Sequence, residues 1–217
     1  MKLAVLGGSF NPIHIGHLAL ADEVCASLHY DRVLFIPTYS PPHKEMNTAV
    51  PASERLRMVQ LACAEDSRFV ADSCEIDRGG ISYTYNTILH LEEKYKGELE
   101  GRIGFIMGED LLAGFHLWNR AEDIARKCTL ILARRPSLAE NSSFANRPLG
   151  RYAELQSEDF DVDGDPLFEG AVKLSNAVLP VSSTDIRTRI AGGRGFRYLV
   201  PSAVFRYIIE GNVYGYK

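Results

Sequence analysis

The chain has 217 residues, 46% of them hydrophobic and 24% charged, and a formal net charge of −4. This is the composition of a folded chain able to bury one full core, and it excludes a disordered polymer. The acidic balance disfavours a duplex nucleic-acid partner, which needs a basic face; phosphate ligands stay open, because a local cluster of donors can hold them.

No run of about 18 apolar residues is present to span a membrane, and MKLAVLGGSFNP lacks the longer apolar core of a signal peptide. The four cysteines, Cys25, Cys63, Cys74 and Cys128, are scattered without a CxxC pair. Reduced thiols in a cytoplasmic protein are therefore expected.

In chain order, residues 2–6 (KLAVL), 32–36 (RVLFI), 102–107 (RIGFIM) and 128–133 (CTLILA) are predicted buried parallel strands. Leu18, Ala21, Val24, Cys25 and Leu28 mark one face of a first helix. Leu56, Val59 and Cys63 mark a second, and Ile88, Leu91 and Tyr95 a third. Strands alternating with helices predict an α/β fold, a Rossmann-like open parallel sheet with helices on both faces. Residues 135–170, poor in apolar runs, are expected to form a variable surface connection with one short helix. Residues 172–174 make a last strand, and helices follow over 183–191 and 201–210, the latter with Pro near its start and Gly211 beyond its end. One domain spanning 1–217, with 183–217 as its C-terminal helical part, is the simplest organisation.

The strongest chemical signal is GGSFNPIHIGH, residues 7–17, between the first strand and the first helix. In an open α/β sheet, ligands bind at the carboxyl ends of the strands near the point where strand order reverses. Gly7 and Gly8 are expected to let the backbone bend sharply and approach a ligand. Ser9 and Phe10 can then offer N–H groups, and Pro12 stiffens the turn. His14 and His17 flank Gly16, and a helix starting near Gly16 would add the positive end of its dipole. The pocket suits a phosphate. Neither GxGxxG nor GxxxxGK[ST] is present, which disfavours a dinucleotide-binding oxidoreductase and a P-loop NTPase. A lone histidine would be more simply read as a helix cap or a packed core residue.

A second phosphate signal is PVSSTDIRTR, residues 180–189. Ser183 or Thr184 is the predicted N-cap, with Arg187 one turn in. Hydroxyls, free N–H groups and a guanidinium on one helix end suit a β,γ-diphosphate, with Arg187 neutralising a departing pyrophosphate. In isolation the same residues could be plain capping.

The first segment resembles the HxGH nucleotidyltransferase superfamily, whose members share a GxFxPxHxGH turn. The second resembles its ISSTxIR signature, with Val181 in place of Ile. The resemblance implies that His14 and His17 donate to the α-phosphate of a nucleoside triphosphate, that a phosphate oxygen of the acceptor attacks in line, and that pyrophosphate leaves without a covalent enzyme intermediate. Such chemistry asks the protein mainly for positioning and charge stabilisation.

Four weaker segments narrow the resemblance: PPHK at 41–44, GISYT at 80–84, GED at 108–110 followed by Trp118, and RRP at 134–136. In this order they resemble the bacterial nicotinate-nucleotide adenylyltransferase family, with PPHK, SYTxDT, GxD…W and RP. The likeness implies ATP and nicotinate mononucleotide as substrates. Gly108 and Asp110 would then contact ATP, Asp110 at its ribose. Trp118 would stack on the pyridine ring, donors around Thr84 and near Trp118 would hold the nicotinate carboxylate, and Lys44 and Arg134 would orient phosphates. Mg²⁺ is expected with ATP, without a dedicated carboxylate cage. Departures are Ser9 and Asn11 in the first turn, Asn86 where the family has Asp, and Glu109 inside GxD. Asn86 removes a charge near the acceptor site.

Residues 159–164 (DFDVDG) imitate the start of a calcium loop, but the twelfth position is Gly170 rather than Glu, so a solvated acidic loop is expected. Other readings are a different acceptor (nicotinamide mononucleotide or phosphopantetheine), a cytidylyltransferase, or a non-catalytic ATP-binding sensor. A class I aminoacyl-tRNA synthetase also carries HIGH, but no KMSKS-like loop is present. Association into a homo-oligomer is left open by the sequence.

Overall fold

The computed structural model describes residues 1–42, 50–134 and 161–216. Six parallel strands form one sheet: β1 (Leu3–Gly8), β2 (Arg32–Pro37), β3 (Phe69–Ala71), β4 (Ile103–Gly108), β5 (Cys128–Ala133) and β6 (Val172–Leu174). Their order is β3-β2-β1-β4-β5-β6. β1 thus pairs with β2 on one side and β4 on the other, and the winding reverses between β1 and β4. The expected Rossmann-like sheet is what forms, and the reversal creates the crevice where such sheets take ligands.

Side chains along each strand alternate between two cores, as the pleat dictates. Ala4, Leu6, Val33, Phe35 and Ile106 face a layer made by α1 (Ile15–Leu28), α2 (Ala52–Cys63), α6 (Ser183–Ala191) and α7 (Ser202–Glu210). Leu3, Val5, Leu34, Ile36 and Phe105 face α3 (Cys74–Arg78), α4 (Thr84–Lys94) and α5 (Ala121–Lys127). All four cysteines are buried free thiols. Burial pushes Cys63, Cys74 and Cys128 up to about 12. Among the described residues no helix is long and apolar enough to cross a membrane.

Three differences from the sequence reading have simple causes. β3, α3 and α5 are absent from it; the five and seven residues of α3 and α5 are too short to show a helical period. The buried stripe of α2 runs Arg55, Met58, Val59, Ala62 and Cys63, so Leu56 sits beside it rather than on it. The expected surface connection 135–170 lies outside the described residues up to 160. Its described end is partly core, because Phe168 is buried against Phe115, 5.6 Å between ring centroids. In the acidic loop, the Asp163 carboxylate accepts both its bonds from Lys173, at 2.6 and 2.8 Å.

Candidate active site

β1 runs on through Gly7 and Gly8, both extended; the sharp change of direction falls instead at Phe10, which takes a left-handed φ of 45°. The glycines were expected to supply the bend. Gly8 supplies room: a Cβ there would lie 3.3 Å from the Phe10 ring folded beneath it. A cis Asn11–Pro12 bond follows, and His14 caps α1 with extended backbone.

The His14 N–H donates to Nδ1 of His17 at 3.2 Å, and the two rings stack with centroids 3.7 Å apart. Because Nδ1 of His17 accepts, the ring in its neutral form carries its proton on Nε2. The Phe10 ring meets His17 edge-on at 5.0 Å and fixes the imidazole from a second side.

The C-terminal motif closes directly on this turn. Ser183 Oγ donates to the Pro12 carbonyl at 2.8 Å, and Arg187 Nη1 donates to the Asn11 carbonyl at 2.7 Å. A Cβ on Gly16 would lie 3.0 Å from Val181 and 3.1 Å from the His14 ring, so the glycine is what lets the two motifs touch. The N-cap of α6 is Ser182, accepting from the Asp185 N–H at 3.1 Å, not Ser183 or Thr184 as expected. Ser183 and Thr184 are thereby inside the first turn. Thr184 Oγ1 accepts from Arg187 Nη2 at 3.1 Å. The Arg187 side chain also lines a separate cavity of about 790 Å³ with Asn11, Glu54 and Tyr214.

A cavity of about 210 Å³ opens between the carboxyl ends of β1 and β4, lined among others by Gly7, Gly8, Thr84, Gly108 and Trp118. Trp118 is wedged edge-on against Phe105 and Phe115, at 6.1 and 5.4 Å. Tyr83 occupies the N-cap position of α4, immediately before Thr84, and makes no side-chain capping bond. The SYT segment is tied to the segment leading into Pro41 and Pro42, since Ser82 N–H donates to the Ser40 carbonyl at 2.8 Å. Asp110 is exposed in the single helical turn after β4. Arg134 is exposed at the end of β5, its backbone clasped by the Asn176 amide at 2.9 and 3.1 Å. Lys44 lies outside the described residues. Among those residues no group of three or more His, Cys, Asp or Glu is placed to hold a metal ion.

A family model described as cytidylyltransferase-like matches residues 5–189. A protein of Treponema pallidum (strain Nichols) named "Probable nicotinate-nucleotide adenylyltransferase" is 40% identical over 214 residues, 99% of each chain. The chain belongs to this nucleotidyltransferase family. A Geobacter sulfurreducens relative of the same name is 38% identical, covering 100% of this chain and 99% of that one. Among solved structures, Plasmodium falciparum nicotinic acid mononucleotide adenylyltransferase complexed with NaAD has the same fold, with TM-score 0.69 at 15% identity, covering 100% of this chain and 98% of that one.

In this member of the adenylyltransferase family, three further residues at the site are not singled out by its motifs. Arg55, 1% exposed, reaches from α2 to the carbonyls of Ser9 and Thr38, both at 2.7 Å. The Tyr214 hydroxyl donates to Asn11 Oδ1 at 2.7 Å. Glu75 lines the smaller cavity, one oxygen accepting from Thr87 at 2.7 Å and the other without a partner among the described residues. Burial holds the Arg55 and Arg187 pKa values below the usual guanidinium range and pushes the Tyr214 phenol up, so Tyr214 is a neutral donor. Arg55 had a visible signal: a charge at the head of an apolar stripe with spacing 55, 58, 59, 62. Tyr214 and Glu75 had none, because their partners are remote in sequence or on another element.

Proposed function

We propose that the chain transfers AMP from ATP to nicotinate mononucleotide, giving deamido-NAD and pyrophosphate in NAD biosynthesis. The observation that carries this reading is the junction of Ser183 and Arg187 with residues 11 and 12, which puts the end of α6 against the turn bearing His14 and His17. Residues almost the whole chain apart thus meet at one turn, and a cavity lined by Gly7, Gly8 and Trp118 opens beside it between β1 and β4.

His17 Nε2–H and the His14 ring would donate to the α-phosphate, with the N–H groups of Ser9 and Phe10 and the backbone of Gly7 and Gly8 beside it. A phosphate oxygen of nicotinate mononucleotide forms the new P–O bond at the α-phosphorus. The bond from that phosphorus to the bridging oxygen breaks, and the electron pair leaves with pyrophosphate. Preorganised donors hold the developing charge without reorganising at the moment of reaction. Ser183, Thr184 and Arg187 take the β,γ end, and Asp110 together with Gly108 takes the ribose side. Arg134 and Lys44 would orient phosphates. Magnesium enters as the counter-ion of ATP, and no protein cage is assigned to it.

In the acceptor cavity Trp118 supplies a flat apolar face for a pyridine ring. The uncapped start of α4 at Thr84 offers N–H groups and a dipole end to the nicotinate carboxylate. A second reading, the amide form as acceptor, has one observation behind it: Glu75 Oε2, without a partner among the described residues, would accept an amide N–H.

The test is pyrophosphate release with Mg-ATP and nicotinate mononucleotide, nicotinamide mononucleotide or phosphopantetheine. Preferred turnover of the nicotinate form is expected. Turnover with phosphopantetheine alone would overturn the acceptor, and ATP binding without turnover on any of the three would make the protein a sensor.

A further inference from the structure

Arg55 is a fully buried cation with an unusual set of partners. Its two terminal nitrogens bind only main-chain carbonyls, Ser9 at the end of β1 and Thr38 at the end of β2. Its Nε has no partner among the described residues. The one titratable group that raises its pKa is the Tyr214 phenol, which burial keeps neutral. Burying a guanidinium without a paired carboxylate is costly.

Two features connect this charge to a ligand. In a trans peptide the carbonyl and the following N–H point in opposite directions. Holding the Ser9 carbonyl toward α2 therefore aims the Phe10 N–H away from α2, out of the carboxyl end of β1. Among the described residues that N–H meets no backbone acceptor. Arg187 repeats the arrangement two residues on, gripping the Asn11 carbonyl, with its pKa likewise lowered by burial and Tyr214 its one titratable influence. Two guanidiniums stand behind residues 9–12 with a neutral phenol between them. Neither guanidinium has an ion-pair partner among the described residues, the Glu54 carboxylate of the same cavity accepting from Tyr207 at 2.6 Å instead, and the pair complements a polyanion in front of it.

We propose that Arg55 is a positioning residue for nucleotidyl transfer: it aims the Phe10 N–H at the triphosphate and, with Arg187, supplies the positive field whose counter-charge arrives with the nucleotide. The proposal rests on the adenylyl-transfer reading only in taking the ligand to be a nucleoside triphosphate.

Arg55→Met and Arg55→Lys test it, using steady-state kinetics and the rise in melting temperature produced by inorganic tripolyphosphate. Arg55→Met is expected to lose about 100-fold in kcat, as for one preorganised donor, with acceptor KM changed less than about twofold. Its tripolyphosphate-induced rise should be less than half that of the wild type. Arg55→Lys keeps the charge and reaches one carbonyl, so it should recover part of both. An Arg55→Met protein that melts lower but keeps its kcat and its full tripolyphosphate response would reduce Arg55 to packing and overturn the proposal. Should that variant not fold, wild-type kcat in folded Arg55→Lys would overturn the aiming of Phe10. A wild type inactive on nicotinate mononucleotide, with the tripolyphosphate response still lost in Arg55→Met, would sink the acceptor assignment while supporting the Arg55 one.

Discussion

The two halves of the crevice are built by different means. At the proposed phosphate end, three main-chain oxygens are each held by a side chain from elsewhere: Ser9 by Arg55, Asn11 by Arg187 and Pro12 by Ser183. At the proposed acceptor end the walls are largely apolar, and the key ring, Trp118, packs edge-on against Phe105 and Phe115. Donors that must meet charge as it develops need fixed directions, which hydrogen bonds provide. A flat ring needs a shaped wall, which packing provides. Mutations at the phosphate end should therefore act on kcat, and those at the acceptor end on KM.

His17→Ala gives the largest expected effect, a fall in kcat of ~100–1000-fold with acceptor KM unchanged. Full activity in a folded variant would remove the imidazole from the mechanism. Gly16→Ala comes next. Its Cβ would press on Val181 and the His14 ring at 3.0 and 3.1 Å, prising the two motifs apart. Displacement of that order is expected to cost ~10–100-fold in kcat, read by the same assay. A harmless alanine would mean that their close contact is not needed.

Trp118→Ala should raise acceptor KM roughly tenfold, about 1.4 kcal/mol, while kcat moves little. A fall in kcat at constant KM would break the division of labour between the halves.

Asp72, directly after the edge strand β3, tests the scaffold alone. Burial raises its pKa, but Lys94 Nζ at 2.7 Å and the Cys74 N–H at 2.9 Å outweigh it and hold the carboxyl below its ordinary 3.8. A carboxylate lowered in this way stabilises the fold above pH 3.8 and loses that contribution as pH falls through the folded value. Asp72→Asn is expected to cost about 1–3 kcal/mol at neutral pH and to flatten the stability loss at lower pH. Urea denaturation at pH 7 and pH 3 measures both, and an unaltered pH dependence would contradict the assignment.

The difference between the halves also explains what the sequence disclosed. The doubly wound sheet was legible because strands on both-sided cores are continuous apolar runs, and β5 at Cys128–Ala133 matches to the residue. The phosphate turn was legible because glycines, proline and histidines are concentrated within eleven residues. Its supports were not, since Arg55 and Tyr214 reach it from 46 and 203 residues away. The cap of α6 shifted by one residue to Ser182, because neighbouring Ser and Thr compete for the position and only backbone geometry decides. At the acceptor end Trp118 carried meaning only through the order of its companion motifs, and Glu75 carried none.

In the proposed mechanism the β1–α1 turn and α6 act on one triphosphate. A double-mutant cycle with His17→Ala and Arg187→Ala, read as kcat/KM for ATP, tests it most directly. Shared action predicts a coupling energy above about 1 kcal/mol, the double variant being less impaired than the product of the single losses. Additivity within ~0.5 kcal/mol would contradict it, placing the imidazole and the guanidinium in separate tasks.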